Sequence, residues 1–275
     1  MTARGTDLEG ARMLVTGASS GIGRATALLL ARHGARLALT ARRAGELRAA
    51  ADEITASGGT EPLVLPADLA RPGAAAELGR AALEGLGGLD VLVNNAGASL
   101  IGAAARWSDD DRARAVFEVN LWSPLALTAA VLPALRAGSG PAVVMVTSTV
   151  QAVPLPLLGY YAASKAALAQ ATRSLRHELR GTGVRVVEVV PGGTDTALRD
   201  IEGLPWTGGP PRTLPAVPPE RIAAALVAGL RSGRREVAVP GYVRVPLAVP
   251  VIGRAVAAMA TRRIDTAEGP DGVPR

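Results

Sequence analysis

Short, almost unbroken apolar runs alternate with longer segments of helical period along most of this chain. Runs of strand length lie at Arg12–Val15, Arg36–Thr40, Glu61–Leu65, Leu89–Val93, Ala142–Val146, Arg185–Val190 and Glu236–Val239. Between them the spacing predicts helices over Arg24–His33, Ala44–Ser57, Ala74–Gly85, Ser108–Ala137, Tyr161–Arg180 and Glu220–Leu230. Gly34 is placed to end the first helix, and Pro124 and Pro133 disturb the long fourth one locally. A run such as Leu89–Val93, apolar at nearly every position, suits a strand covered on both faces. Strand and helix in strict alternation imply a doubly wound α/β fold: a parallel sheet of about seven strands with helices on both sides. No internal repeat or linker interrupts the pattern. One domain is expected over 10–240, after an N-terminal tail (1–9) and before an apolar and basic extension (241–275).

The first strand runs straight into Thr16–Gly23, TGASSGIG, and then into a helix. In that context Gly17 can take the tight turn, Gly21 lets backbone approach a pyrophosphate, and Gly23 lets helix and strand come close. The helix start adds free N–H groups and a positive dipole end.

A second constellation runs from Ser148, just past the fifth strand, to Tyr161 and Lys165. Tyr161 and Lys165 stand one helical turn apart, so both project from one face. Lys165 is the only lysine in the chain, all other basic side chains being arginine. A compact ammonium beside a phenol is a place where a planar guanidinium does not substitute. An adjacent cation makes a phenol more acidic, and the chemistry this permits is proton transfer. In an open parallel sheet ligands bind beyond the carboxyl ends of the strands. Gly17, Asp68, Asn94, Ser148 and Pro191 all fall at such ends.

Composition narrows the reading. Apolar residues make up 48% of the 275, enough for a large core, but aromatics are 3%, so that core is Ala, Leu and Val. With no cysteine and only His33 and His177, no metal site is expected. The formal charge of +6 invites a nucleic-acid partner, yet the arginines alternate with acids along helices and stacking aromatics are scarce. Nucleic acid is therefore excluded, and an anionic small molecule accounts for a local positive patch. Met1–Gly10 is polar and charged, so a cytoplasmic location is expected.

Taken together, TGASSGIG (16–23), the Asp68-Leu69 turn, NNAG (94–97), Asn120, Ser148, Tyr161-x-x-x-Lys165 and Pro191-Gly192 resemble the short-chain dehydrogenase/reductase family. The resemblance covers residues 10–240, with every motif in the family's order. It implies a Rossmann-type, NADP(H)-dependent ketoreductase acting as a homodimer or homotetramer on a small carbonyl or alcohol. It further implies that Gly17, Ser19, Ser20, Gly21, Ile22 and Gly23 cradle the cofactor pyrophosphate. Asp68, followed by Leu69, would contact the adenine. Asn94, Ala96 and Gly97 would border the adenosine ribose. Pro191, Gly192 and Thr194 belong to the cofactor site, and Thr196 would hold the nicotinamide carboxamide. Tyr161 would be the general acid and Ser148 would stabilise the carbonyl oxygen. Lys165 would lower the tyrosine pKa and bind the nicotinamide ribose, and Asn120 would anchor a relay water.

In that family an acid after the second strand marks NAD, whereas here Ala41, Arg42 and Arg43 follow it. Arg42 is accordingly expected to hold a ribose 2′-phosphate. Gln151 departs from the small residue usual at its position. A mainly apolar substrate is expected between Ser99–Ile101, Val150–Leu158 and Leu198–Trp206. A non-catalytic dinucleotide-binding regulator, or altered chemistry such as epimerisation or imine reduction, stays open as an alternative. The apolar stretch Val243–Met259, broken by Pro246, Pro250 and Gly253, is too interrupted to span a membrane. Packing on its own protein or a sister subunit is the favoured reading, with the substrate mouth or a membrane surface as other places for it.

Overall fold

A computed structural model describes residues 5–105, 110–195, 203–209 and 216–266. Seven parallel strands form one sheet in the order β3-β2-β1-β4-β5-β6-β7. They are β1 (Arg12–Thr16), β2 (Arg36–Thr40), β3 (Leu63–Val64), β4 (Val91–Asn94), β5 (Ala142–Val146), β6 (Arg185–Pro191) and β7 (Glu236–Val239). Chain order reverses between β1 and β4, which opens a crevice at their carboxyl ends.

Helices α1 (Gly21–Arg32), α2 (Ala44–Ala56) and α7 (Pro219–Ser232) cover one face. Helices α3 (Ala74–Leu86), α5 (Ser123–Arg136) and α6 (Gly159–Glu178) cover the other. Each strand therefore sends alternate side chains into two separate cores. Val91 and Val93 belong to the core shared with α1, α2 and α7, whereas Leu92 belongs to the one shared with α3, α5 and α6. Helices α8 (Arg244–Ala248) and α9 (Pro250–Thr261) follow the last strand.

Four local departures from the periodic pattern have physical causes. β3 shrinks to two residues because Pro62 and Pro66 flank it and cannot donate to a ladder. The long fourth helix divides into α4 (Asp111–Phe117), a π-helical turn Glu118–Trp122, and α5. Such a turn inserts one extra residue, which the apolar period does not register. Residues 5–9, expected as a tail, are tied down: Leu8 is buried, and Thr6 donates to Leu230 O (3.0 Å) and, through its hydroxyl, to Gly140 O (2.7 Å). At the amino end of the sheet, buried Asp90 accepts a two-pronged ion pair from Arg12 (both 3.0 Å) and the N–H of Ser139 (2.8 Å). Burial raises its carboxyl pKa, but these donors outweigh that and hold it below the ordinary value.

Candidate active site

A cleft of about 830 Å³ lies along the carboxyl ends of β1, β4, β5 and β6. Gly17, Ser19, Ser20, Gly21 and Ile22 form one end of it. Gly17 (φ +68°) and Gly21 (φ +54°) both adopt the left-handed conformation that glycine takes freely. A Cβ on Gly23 would lie 2.2 Å from Gly17 O, so this glycine is needed for packing and does not face the cleft. Two side chains latch the turn to β4. The Thr16 hydroxyl accepts from the N–H groups of Asn95 (3.0 Å) and Ala96 (2.9 Å), while Asn95 Nδ2 donates to Thr16 O (2.9 Å).

The N-terminus of α1 opens on this end with no acid in its first turn, and Ser20 makes no side-chain cap bond. Free N–H groups, a positive dipole end and a backbone stripped of Cβ atoms fit a pyrophosphate. Beyond β2 come Arg42 and Arg43. Arg43 donates to Ser20 Oγ (3.1 Å) and pairs with Glu46 (2.8 Å). Arg42 has no hydrogen-bond or ion-pair partner among the described residues, and no acid intervenes before Glu46. Two guanidinium groups and a serine hydroxyl therefore lie together at this end of the cleft, donors of the kind that bind phosphate oxygens. Asp68 and Leu69 also line the cleft, with Asp68 Oδ1 accepting from Ala70 N (3.0 Å).

The other end holds Ser148, Tyr161, Lys165, Pro191, Gly192 and Thr194. Ser148 follows β5 in an extended conformation (φ −166°), and its Oγ accepts from Val150 N (3.4 Å). Tyr161 and Lys165 lie in the first two turns of α6. Lys165 is buried and donates to Val146 O (2.9 Å), and desolvation pushes its pKa down from 10.5 to about 8. Tyr160 is turned away and donates to Ala104 O (2.8 Å). Between Ser148 and Tyr161 the chain passes through Leu157, a buried non-glycine residue at φ +64°, whose carbonyl accepts from Gly102 N (2.8 Å). Such a backbone costs about 1–3 kcal/mol and persists because the surrounding apolar cluster fixes it.

Two asparagines of the candidate site turn their side chains away from the cleft. Asn94 is the last residue of β4 and points into the core, where its amide reaches Thr128 Oγ1 (3.2 Å) and Met145 Sδ. Its neighbour Asn95 lines the cleft in its place. Asn120 sits fully buried in the π-helical turn. Its Nδ2 donates to Ala98 O (2.7 Å) and Ser164 Oγ (2.9 Å), and its Oδ1 accepts from Ala98 N (2.9 Å). With those groups engaged, its side chain fixes the β4 loop to α6, and Val119 is the residue of that turn facing the cleft. Thr196 lies outside the described residues.

The structure also brings in residues that sequence reasoning missed. Buried Glu188 of β6 accepts from Thr147 Oγ1 (3.0 Å) and Gln151 Nε2 (3.3 Å), so Gln151 braces the turn after Ser148. The apolar wall comes from Val150, Val153, Leu155 and Leu158 on one side. Ser99–Ile101 do not line the cleft, and Leu204 and Trp206 pack beneath it against Leu155, Leu157 and Ile264. The facing wall is the C-terminal extension: Tyr242, Val243, Val245, Pro246, Ile252 and Val256. Gly253 lets α9 approach closely, since a Cβ there would lie 2.0 Å from Ala152 O.

A glycine turn at a helix start and a Ser/Tyr/Lys set at opposite ends of one cleft suit the class of dinucleotide-binding α/β oxidoreductases. The pattern of the short chain dehydrogenase family matches residues 11–202, and the chain belongs to that family. A short chain dehydrogenase of Pseudocercospora fijiensis is 40% identical over 192 residues, 70% of this chain and 62% of that protein. A hydroxysteroid 11-beta-dehydrogenase 1-like protein of Gallus gallus is 34% identical over 243 residues, covering 86% of this chain and 81% of its own length. A metagenomic short-chain oxidoreductase solved with NADP superimposes with a TM-score of 0.71 at 34% identity, over 85% of this chain and 98% of its own. Other solved members were crystallised with NADP or with NAD, so the family binds nicotinamide dinucleotides.

Proposed function

We propose that this protein is an NADPH-dependent reductase of a carbonyl in a mainly apolar substrate, working also in reverse on the secondary alcohol. The observation that carries this reading is one cleft with Ser148, Tyr161 and Lys165 at its apolar end and Ser20, Arg42 and Arg43 at its polar end. A dinucleotide held by the Gly17–Ile22 turn and Arg42 would supply hydride to the carbonyl carbon. Tyr161 gives its phenolic proton to the carbonyl oxygen as charge develops there, and Ser148 Oγ donates a hydrogen bond to the same oxygen. Lys165, held by Val146 O, keeps a cation one helical turn from that phenol. Gln151 and Glu188 hold the turn that carries Ser148, and Asn120 holds the loop beneath it. The charged side chains among the described lining residues are Arg42, Arg43, Asp68 and Lys165, which leaves the walls beyond Ser148 for apolar surface. The Gallus gallus relative, named for a hydroxysteroid, supports an alicyclic ketone or alcohol as substrate class.

Cofactor choice tests the polar end. One charge-assisted hydrogen bond contributes about 1.5–3 kcal/mol, or roughly 10- to 150-fold. NADPH is therefore expected to exceed NADH in kcat/KM by about tenfold or more, and Arg42→Ala to remove most of the difference. Arg42 suits this test because its guanidinium holds no partner among the described residues, so its loss leaves the fold alone. Equal kcat/KM for both cofactors in the unaltered protein would refute the choice of NADP.

A further inference from the structure

We propose that the outer face of α8 and α9 docks on an anionic membrane surface, with the mouth of the cleft at the lipid. Helix α9 is apolar nearly all round. Gly253, Val256, Ala257 and Ala260 turn inward onto the cleft and the cluster beneath it, at helical spacing. The opposite stripe, Val251, Arg254, Ala255, Ala258, Met259 and Arg262, is exposed, with Val251 at 58% and Met259 at 62%. A helix apolar on both sides finds cover on both, in protein or in lipid. Helix α8 joins it at a 105° bend and continues the surface with exposed Val245 and Val249.

Charge selects the occupant. From Val237 to Ile264 there is no acid, while Arg244, Arg254, Arg262 and Arg263 all lie exposed. Arg254 and Arg262 have no ion-pair partner among the described residues. Arg244 pairs loosely with Glu236 (3.9 Å) at the edge of the face, and apolar side chains beside the two unpaired arginines match an interface of acyl chains and anionic headgroups. A second copy of this chain fits poorly, because packing this stripe on itself would bring the arginines of both copies together with no acid from Val237 to Ile264 of either to pair them. The position adds a consequence that rests on the reductase reading. Tyr242, Val245 and Ile252 are exposed on this face and also line the cleft, so a docked molecule opens its apolar end toward lipid-dissolved substrate.

Vesicle co-sedimentation tests the docking without any need for turnover. The unaltered 275-residue chain is expected to bind phosphatidylcholine vesicles containing phosphatidylglycerol, to ignore vesicles of phosphatidylcholine alone, and to be released by salt. Arg254→Ala with Arg262→Ala is expected to lower partitioning at least about tenfold. Val251→Asp with Met259→Asp is expected to abolish it. Both double variants should keep wild-type turnover on a water-soluble ketone. Absence of binding to the anionic vesicles, equal binding to both lipids, or variants that bind like the parent would overturn the proposal. So would a dimer in solution that these same substitutions dissociate, since the face would then belong to a second copy. Membrane binding without NADPH oxidation would uphold the docking and remove only its consequence for substrate.

Discussion

Replacing Tyr161 by phenylalanine is expected to lower turnover by at least about a hundredfold while leaving dinucleotide binding nearly intact. The phenol is the group in the apolar end of the cleft able to pass a proton to a carbonyl oxygen beside Ser148. Two other tyrosines serve as controls. Tyr160 donates its hydroxyl to Ala104 O at 2.8 Å and does not line the cleft. Tyr242 stands on the exposed rim, with no lysine one helical turn away. Phenylalanine at either position should retain most of the rate. Steady-state kinetics with cofactor titration checks all three, and more than a tenth of parental turnover in Tyr161→Phe would remove tyrosine from the mechanism.

Lys165→Met should abolish turnover to a similar degree and yet make the cofactor-free protein more stable at neutral pH. The unfolded chain keeps the ammonium near its ordinary 10.5, whereas burial lowers it to about 8 in the fold. Below pH 8 both states are charged, and the folded one bears the whole desolvation cost, on the order of 3 kcal/mol. Between the two values the unfolded chain binds more protons, so stability rises with pH across that window. Methionine fills the same space without a charge, although it gives up the hydrogen bond to Val146 O, about 1 kcal/mol. Thermal melts are thus expected to show the variant ahead by about 1–3 kcal/mol at neutral pH. That lead should vanish as pH approaches 10.5. A variant less stable at every pH by a constant margin would mean that Lys165 is a structural cation.

The fold, and the meeting of Ser148, Tyr161 and Lys165 along one cleft, were largely legible because they rest on short-range chemistry. A seven-stranded parallel sheet follows from apolar runs separated by helical ones. The glycine turn and the Tyr161/Lys165 pair depend only on neighbours within one or two turns. What escaped depends on packing at a distance. Asn94 and Asn95 are identical side chains, and only the pleat of β4 decides which one enters the core. The π-helical turn around Asn120 adds a residue without disturbing an apolar pattern that proline had already blurred. Glu188 reads as a polar interruption in a strand until Gln151, 37 residues away, is seen to reach it. The facing wall was hardest, because Val243–Met259 favours packing on its own protein or a sister subunit without saying which surface it covers. Its true place is set by Gly253 against Ala152.

The central claim, hydride transfer to an apolar carbonyl with Tyr161 as acid, is tested most directly by isotope. The purified protein is mixed with NADPH carrying deuterium at the transferring carbon and a panel of apolar ketones, and the products are examined by mass spectrometry. The expected result is an alcohol with one deuterium on the carbinol carbon, formed by the parent and by Tyr160→Phe but nearly absent with Tyr161→Phe. NADPH that binds and stays unoxidised across the panel, or deuterated alcohol formed equally well by Tyr161→Phe, would contradict the account.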